Sequence, residues 1–173
     1  SNAPLSRRSF VAGSLAGLLG ARSSFARDQQ QERKAQIAIT FDLEMSRMYP
    51  TRDVMEWDYQ KGNLNEPTKK YALEAAKIAH ERGELIHFFC VGRVLEQSNI
   101  DWLKKIAAMG HPIGNHTYDH VNVGSTKPEQ TQFRFQRSPW LIRGQSAADI
   151  IRENIRITTL AMKQRAGIDA DGF

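Results

Sequence analysis

The sequence predicts one α/β domain built on parallel β-strands. Short β-rich runs alternate with amphipathic stretches in the order strand, helix, strand, helix, strand, helix. This alternation is typical of parallel strands joined by right-handed crossovers. The second strand, residues 84–91, is almost continuously apolar, as expected of a strand buried on both faces of a sheet. A length of 173 residues with 40% hydrophobic and 25% charged residues fits a soluble globular domain with a real core.

The first half of the domain is predicted to contain two strands and one helix. Residues 35–41 form a β-rich run that predicts the first strand. The segment 45–66 has mixed polarity and is predicted to be a long loop, which makes it a candidate wall of a functional site. Pro67 opens a helix that Gly83 closes, and the second strand follows directly.

The second half is predicted to contain two helices and one short strand. Residues 100–109 place their apolar side chains at helical spacing, and residues 112–115 form a brief third strand. A polar stretch to about Gly144 is predicted to be irregular, and a long helix follows over residues 146–165. Three strands are too few to close a barrel by themselves.

The first 34 residues are predicted to lie outside the folded domain. Residues 1–3 have the sequence of a cloning remnant. Residues 4–26 combine paired arginines, an apolar stretch too short to span a bilayer and a small-residue end, which is typical of a twin-arginine export signal. The alternative is a disordered basic tail with a chance apolar run. Residues 27–34 are polar and form a linker, so the domain is predicted to be exported to the periplasm or beyond, without stable membrane insertion.

The net charge disfavours a nucleic-acid partner, and the cysteine count excludes an internal disulfide. The formal net charge is +5; without the three arginines of residues 4–26, Lys and Arg fall from 24 to 21 against 19 acidic residues, which leaves +2. No basic cluster with interleaved aromatic residues remains, so a nucleic-acid partner is not predicted. Cys90 is the single cysteine, which excludes an internal disulfide, and it is predicted to be a small buried hydrophobic residue.

His116 and His120 are candidate metal ligands. Their spacing of four places both imidazoles on one face if the backbone turns helically there. Two neutral imidazoles on one face form half of a site for a divalent transition metal. Taken alone, such a pair can equally be two hydrogen-bonding histidines at the surface.

Asp42 and Glu44 strengthen the metal interpretation. Side chains at i and i+2 of a strand point to the same side, and Asp42 follows the first predicted strand. Functional sites of parallel α/β folds lie at the carboxyl ends of the strands, so the topology should bring Asp42 close to His116. Hydrolysis at a metal requires an oxygen ligand and a base that accepts a proton from water. The alternative is that both are ordinary solvated acids of a loop.

Three local patterns resemble the polysaccharide deacetylase family, whose shared unit is the NodB homology domain. Thr40-Phe41-Asp42 is similar to the first motif of that family, Thr-Phe-Asp-Asp-Gly. Residues 86–92 resemble its second strand, with paired phenylalanines before a glycine. Residues 110–120 closely resemble its second motif, His-Ser/Thr-x-x-His, with the usual lead-in. The resemblance covers residues 35–173 and implies a barrel-like (β/α) NodB fold, of which this chain supplies about the first three β/α units.

The resemblance also implies a function. Members of the family are metal-dependent hydrolases that remove acetyl groups from N- or O-acetylated polysaccharides by attack of a metal-activated water. It implies Asp42 as the general base and His116 and His120 as ligands of Zn²⁺ or a similar divalent ion. The family's second Asp is replaced by Leu43, which cannot bind a metal, so Glu44 is predicted to be the third ligand. The implied partner is an acetylated glycan.

The later motifs of the family have no clear counterpart. No histidine follows His120 to serve as the general acid, and the chain is expected to stop partway through its domain. Residues 137–139 have the letters of the third motif, Arg-x-Pro, but precede the long helix that normally comes before it, so we interpret them as unrelated. His80, His87 and His111 are predicted to be structural.

Two alternatives to a deacetylase remain open on the sequence. A catalytically impaired glycan-binding module of the same fold is favoured by Leu43 and by the lack of a late histidine. A small-amide hydrolase, acting on a cyclic amide or ureide, is disfavoured by the predicted export signal. Both an amide and an ester remain open as the bond that is cleaved.

Overall fold

The first strand begins later than the sequence predicts. The computed structural model describes residues 36–49, 51 and 54–173, so the predicted cloning remnant, export signal and linker lie outside the described residues. The strand spans Thr40–Leu43 rather than residues 35–41, because its pairing partner begins only at His87. Asp42 therefore lies inside the strand. No helix in the described part of the chain is long and apolar enough to cross a membrane.

A three-stranded parallel sheet forms the centre of the compact unit Ala38–Phe173. The strands lie in the order β1, β2, β3, which are Thr40–Leu43, His87–Cys90 and Ile113–Asn115. Asp42 lies opposite Phe89, and Cys90 opposite Asn115. The carboxyl ends of all three strands thus meet at one edge. The predicted α/β class with parallel strands is confirmed, and the described residues do not form a closed barrel.

The described residues form five α-helices in addition to the sheet. They are α1 (Met55–Gln60), α2 (Glu66–Glu81), α3 (Asp101–Ala108), α4 (Phe133–Arg137) and α5 (Ala147–Ala161). The Asn65 side chain caps α2 by accepting a hydrogen bond from the Thr68 N–H. Ser146 and Asp149 form a capping box at the start of α5. These two caps fix the beginnings of the longest helices.

The central strand is buried more on one face than on the other. Phe88 and Cys90 are fully buried in the main core, whereas His87 and Phe89 are half-buried and stack with ring centroids 4.3 Å apart. The prediction of burial on both faces is therefore wrong for the second face. Cys90 is free and buried, as predicted.

Two segments predicted to be irregular contain short helices. Helix α1 lies within the segment 45–66, and α4 lies in the polar stretch before Gly144 with 3₁₀ turns on either side, Pro128–Gln130 and Pro139–Ile142. With six and five residues, both helices are too short for a periodic apolar pattern to reveal them. Both contribute side chains to the neighbourhood of the predicted site.

Candidate metal centre

Glu44, His116 and His120 converge at the carboxyl edge of the sheet. One ligand atom from each side chain lies within 4.8 Å of the other two. Oε2 of Glu44 is 2.8 Å from Nε2 of His120 and 3.7 Å from Nε2 of His116. The two imidazole centroids are 4.8 Å apart. The structure thus brings together the three ligands predicted from the sequence.

Asp42 lies beside this cluster but is more exposed. Its Oδ2 is 3.9 Å from Nε2 of His116, and 52% of its side chain is accessible, against 24% for Glu44. Asp42 and Glu44 approach the same imidazole, as the period of two along a strand predicts. Asp42 therefore faces both the cluster and solvent, which suits a group that exchanges protons with water.

The histidine pair is presented by a turn and not by a helix. Thr117 and His120 have φ values of 58° and 54°, in the left-handed region that residues other than glycine rarely adopt. The Asn115 carboxamide oxygen accepts a hydrogen bond from the Thr117 N–H, and the Thr117 hydroxyl accepts one from the Val121 N–H. The helical geometry assumed for the spacing of four was wrong, because these bonds close a tight turn that brings the rings together.

Buried contacts hold this turn through Asp119. Its backbone N–H donates to Oδ1 of Asn154 at 3.0 Å, and its carbonyl accepts from Nε2 of Gln132 at 2.6 Å. Its carboxylate forms ion pairs with Arg134 and, at 3.2 Å, with Arg93. Burial raises the pKa of Asp119, and the two guanidiniums counteract part of that increase. The residue before His120 is thus fixed by partners that the sequence analysis did not identify.

Two polar atoms of the cluster lack hydrogen-bond partners. Oε2 of Glu44 and Nε2 of His116 are buried and unbonded within the described residues, and the 2.8 Å approach of His120 to Glu44 lacks hydrogen-bond alignment. Burial alone would raise the pKa of Glu44, but the imidazoles of His116 and His120 outweigh it and hold that pKa well below its usual range. Glu44 is therefore a carboxylate anion that faces two imidazole nitrogens.

This set of donors fits a divalent transition metal. Two imidazoles and one carboxylate form a common ligand set of catalytic zinc sites, which keep a further position open for water or substrate. Buried donors and acceptors without partners are costly, and a shared cation would satisfy both Oε2 of Glu44 and Nε2 of His116. Their roles as ligands remain predictions that the geometry favours.

The segment 45–66 forms one wall of the site, as its position suggested. The Trp57 ring packs edge-on against His120, with centroids 5.6 Å apart, and Tyr49 packs against Trp57. A cavity of about 570 Å³ adjoins His120 on this side. Its walls include Trp57, Phe133 and Gln136, which combine aromatic and polar side chains.

The remaining histidines bond to the backbone or lie apart from the site. The buried ring of His111 accepts from the Ile86 N–H through Nδ1 and donates to the Ala76 carbonyl through Nε2. His87 Nε2 is 2.9 Å from the Asp171 carbonyl oxygen, and His80 lies at the exposed end of α2. The backbone bonds of His111 and His87 agree with the structural roles predicted for them, whereas the structural role of His80 stays a prediction.

The Arg-x-Pro sequence at residues 137–139 is engaged by helix α1. Its arginine forms an ion pair with the carboxylate of Asp58 on helix α1. The structure therefore gives no reason to identify it with the third motif of the resembled family. Leu43, which replaces the family's second Asp, is 3% exposed and belongs to the main core.

Taken together, these features define an α/β protein with a carboxylate-imidazole cluster at the carboxyl edge of a parallel sheet. A sequence model described as polysaccharide deacetylase matches residues 29–152. The chain belongs to the polysaccharide deacetylase family, as its motifs indicated. No curated protein and no solved structure gives a significant match.

Proposed function

We propose that this chain is a metal-dependent hydrolase that removes acetyl groups from an N- or O-acetylated polysaccharide. Glu44, His116 and His120 hold the divalent ion, for which Zn²⁺ is the best fit to the donor set. The observation that carries the proposal is the approach of one ligand atom from each residue to within 4.8 Å of the others, in a chain of this family.

The position of each residue indicates its role in the proposed reaction. A bound divalent ion supplies a lowered pKa for water and polarisation of the acetyl carbonyl. Asp42 accepts the proton from water, because its carboxylate faces the cluster, is more exposed than the three candidate ligands and is not one of them. The Trp57 side of the cavity holds the sugar against the cluster and limits the access of bulk water.

The test combines metal content with acetate release. The purified protein, loaded with Zn²⁺, is expected to release acetate from N- or O-acetylated glycan oligomers, and chelation should abolish that release. An Asp42→Asn variant should keep the metal and lose at least about 100-fold of the rate, within the usual contribution of a general base. Metal binding without acetate from any substrate would overturn the enzymatic proposal, and full activity in His116→Ala would overturn the site.

A glycan-binding module is the second candidate. Leu43 is buried in the core, so the position of the family's second Asp supplies no ligand here. This candidate predicts that acetylated oligomers bind without releasing acetate, in the metal-loaded protein and in Asp42→Asn alike. Acetate release that depends on Asp42 decides against it.

We also propose export through the twin-arginine route, with the deacetylase domain beginning after the linker. The paired arginines, short apolar stretch and small-residue end of residues 4–26 support this proposal. A reporter fused after residue 34 should reach the periplasm of a bacterial host with an intact twin-arginine system. Export that survives replacement of both Arg7 and Arg8 by lysine would contradict the assignment.

A further inference from the structure

A pocket lined by three arginines lies behind the wall formed by Trp57. It has a volume of about 380 Å³ and lies between helices α1 and α4. Arg93, Arg134 and Arg137 line it, together with the exposed residue Tyr59. We call this space the arginine pocket. It shares none of its lining residues with the cavity beside His120.

The ion pairs around the arginine pocket leave an excess of positive charge. Two buried carboxylates, those of Asp58 and Asp119, lie beneath the guanidiniums. The ammonium of Lys61 lies 3.6 Å from Asp58 and adds a fourth cation. Burial lowers the pKa of Lys61 to about 8, partly opposed by Asp58, so this group still carries its charge at neutral pH. Four cations and two anions leave two positive charges without a counter-ion inside this ion-pair cluster.

The arginines also keep donors available for a ligand. Arg137 uses one terminal nitrogen on Asp58, although each guanidinium carries five N–H donors. The Arg134 and Arg137 side chains, which line the pocket, are 39% and 36% exposed. A planar carboxylate can therefore approach without displacing the existing ion pairs.

The pocket is coupled by structure to the candidate metal centre. Helix α1 places Trp57 against His120 and the next two residues, Asp58 and Tyr59, at the arginine pocket. Arg93 and Arg134, which line the pocket, also pair with Asp119, the neighbour of His120 in the chain. A ligand that spans several sugar units could therefore contact both places.

We propose that the arginine pocket binds the carboxylate of an acidic sugar within the same glycan whose acetyl group lies at the metal centre. This inference rests on the proposed function, which identifies the molecule that carries the carboxylate as a glycan. Guanidinium groups match the geometry of a carboxylate through paired N–H bonds, and Tyr59 offers a face for the sugar ring. The net charge of the domain does not indicate this preference, because the excess positive charge is confined to the ion-pair cluster.

The test measures binding in the folded, metal-loaded Asp42→Asn background, so that turnover does not interfere. The probes are hyaluronan and acetylated alginate hexamers, each compared with its counterpart in which the carboxyl groups are reduced to alcohols. At least one acidic probe is expected to bind about tenfold more tightly than its reduced form, the value of one charge-assisted hydrogen bond. This preference should fall as salt concentration rises.

Two variants test whether the preference for acidic probes arises at the arginine pocket. Arg137→Gln is expected to remove most of it, whereas Arg143→Gln, which changes the net charge equally at an exposed arginine outside the pocket, should retain it. Tyr59→Ala, at an exposed side chain, provides a second pocket variant if Arg137→Gln does not fold. Equal binding of both forms of every probe, or an equal loss in Arg143→Gln, would overturn the proposal.

Other outcomes separate this inference from the proposed function. Inorganic sulfate that binds as tightly as the acidic hexamers would define a site for small anions and would overturn the glycan assignment. Acetate release from neutral oligomers without any preference for acid would leave the deacetylase standing and remove the acidic subsite. A preference that depends on Arg137, without acetate release by the parent chain, would support the pocket and remove the deacetylase.

Discussion

The backbone N–H of Asp119 donates a hydrogen bond to the side-chain oxygen of Asn154 on helix α5, at 3.0 Å. The amide of Asn154 is itself oriented, because its Nδ2 donates to the Ile150 carbonyl one turn earlier. This bond fixes the turn in which Thr117 and His120 adopt left-handed backbone angles, each of which costs on the order of 1–3 kcal/mol without support. A remote helix therefore sets the direction of a candidate ligand.

Replacement of Asn154 by alanine should weaken metal binding while leaving all three ligands in place. Supporting contacts of this kind are typically worth about 10–100-fold in metal affinity. Titration with Zn²⁺ or with the absorbing ion Co²⁺ would measure the loss. Asn99→Ala is the matched control, since Asn99 also accepts a backbone N–H but lies at the start of α3. An unchanged affinity in folded Asn154→Ala would show that the turn holds its shape without α5.

The three candidate ligands should differ sharply from the other histidines in metal content. Glu44→Ala, His116→Ala and His120→Ala are each expected to lose most of the bound Zn²⁺, because two remaining ligands rarely retain a divalent ion. His80→Ala should retain it, since His80 lies at the exposed end of α2. Metal analysis after dialysis would decide. Full metal content in the Glu44→Ala protein would mean that another oxygen group serves as the third ligand.

Local sequence patterns were sufficient to predict which side chains lie together at the carboxyl edge of the sheet. The period of two along β1 places Asp42 and Glu44 on one side, and the histidine motif follows β3 directly. Parallel strands then bring both segments to the same edge. These inferences need only the identity of the strands and their direction, which the alternation of elements supplies.

The supporting contacts could not be predicted because they join distant parts of the chain. Asn154 lies 35 residues from Asp119, and Arg93 lies 26 residues from it. Neither residue belongs to a recognisable motif. The left-handed backbone angles at Thr117 and His120 could not be predicted from the sequence either, since neither residue is a glycine. The helical assumption placed the two imidazoles together, as observed, but through an incorrect local geometry.

Gly114→Ala should destabilise the sheet next to the site. A Cβ atom at Gly114 would lie 2.6 Å from the Phe89 ring and 2.8 Å from Nε2 of His87. Those two rings stack on each other, so neither can move independently, and a loss of about 1–3 kcal/mol in the free energy of unfolding is expected. Urea denaturation would measure it. Gly124→Ala is the control, because its nearest contact would be 3.5 Å away; equal stability of the two variants would contradict the packing argument.

The stability of the protein should depend on Cys90 only at alkaline pH. Burial raises the pKa of the Cys90 thiol from 9.0 to about 12, so the folded protein retains a proton that the unfolded chain releases. The contribution of this neutral thiol is fully present below pH 9 and is lost as the pH rises towards 12. Relative to Cys90→Ala, the free energy of unfolding should therefore fall by at most about 1.4 kcal/mol per pH unit across that window.

Urea denaturation of the parent and Cys90→Ala proteins at about pH 8 and about pH 11 isolates the contribution of the thiol to the free energy of unfolding. Every other titrating group is common to both chains. The cavity left by alanine lowers stability equally at the two pH values, so it cancels in the comparison. A difference between parent and variant that stays constant from the lower to the higher pH would mean that the thiol reaches water in the folded state. Rapid alkylation of native Cys90 at neutral pH would point the same way, since the folded structure leaves its side chain fully buried.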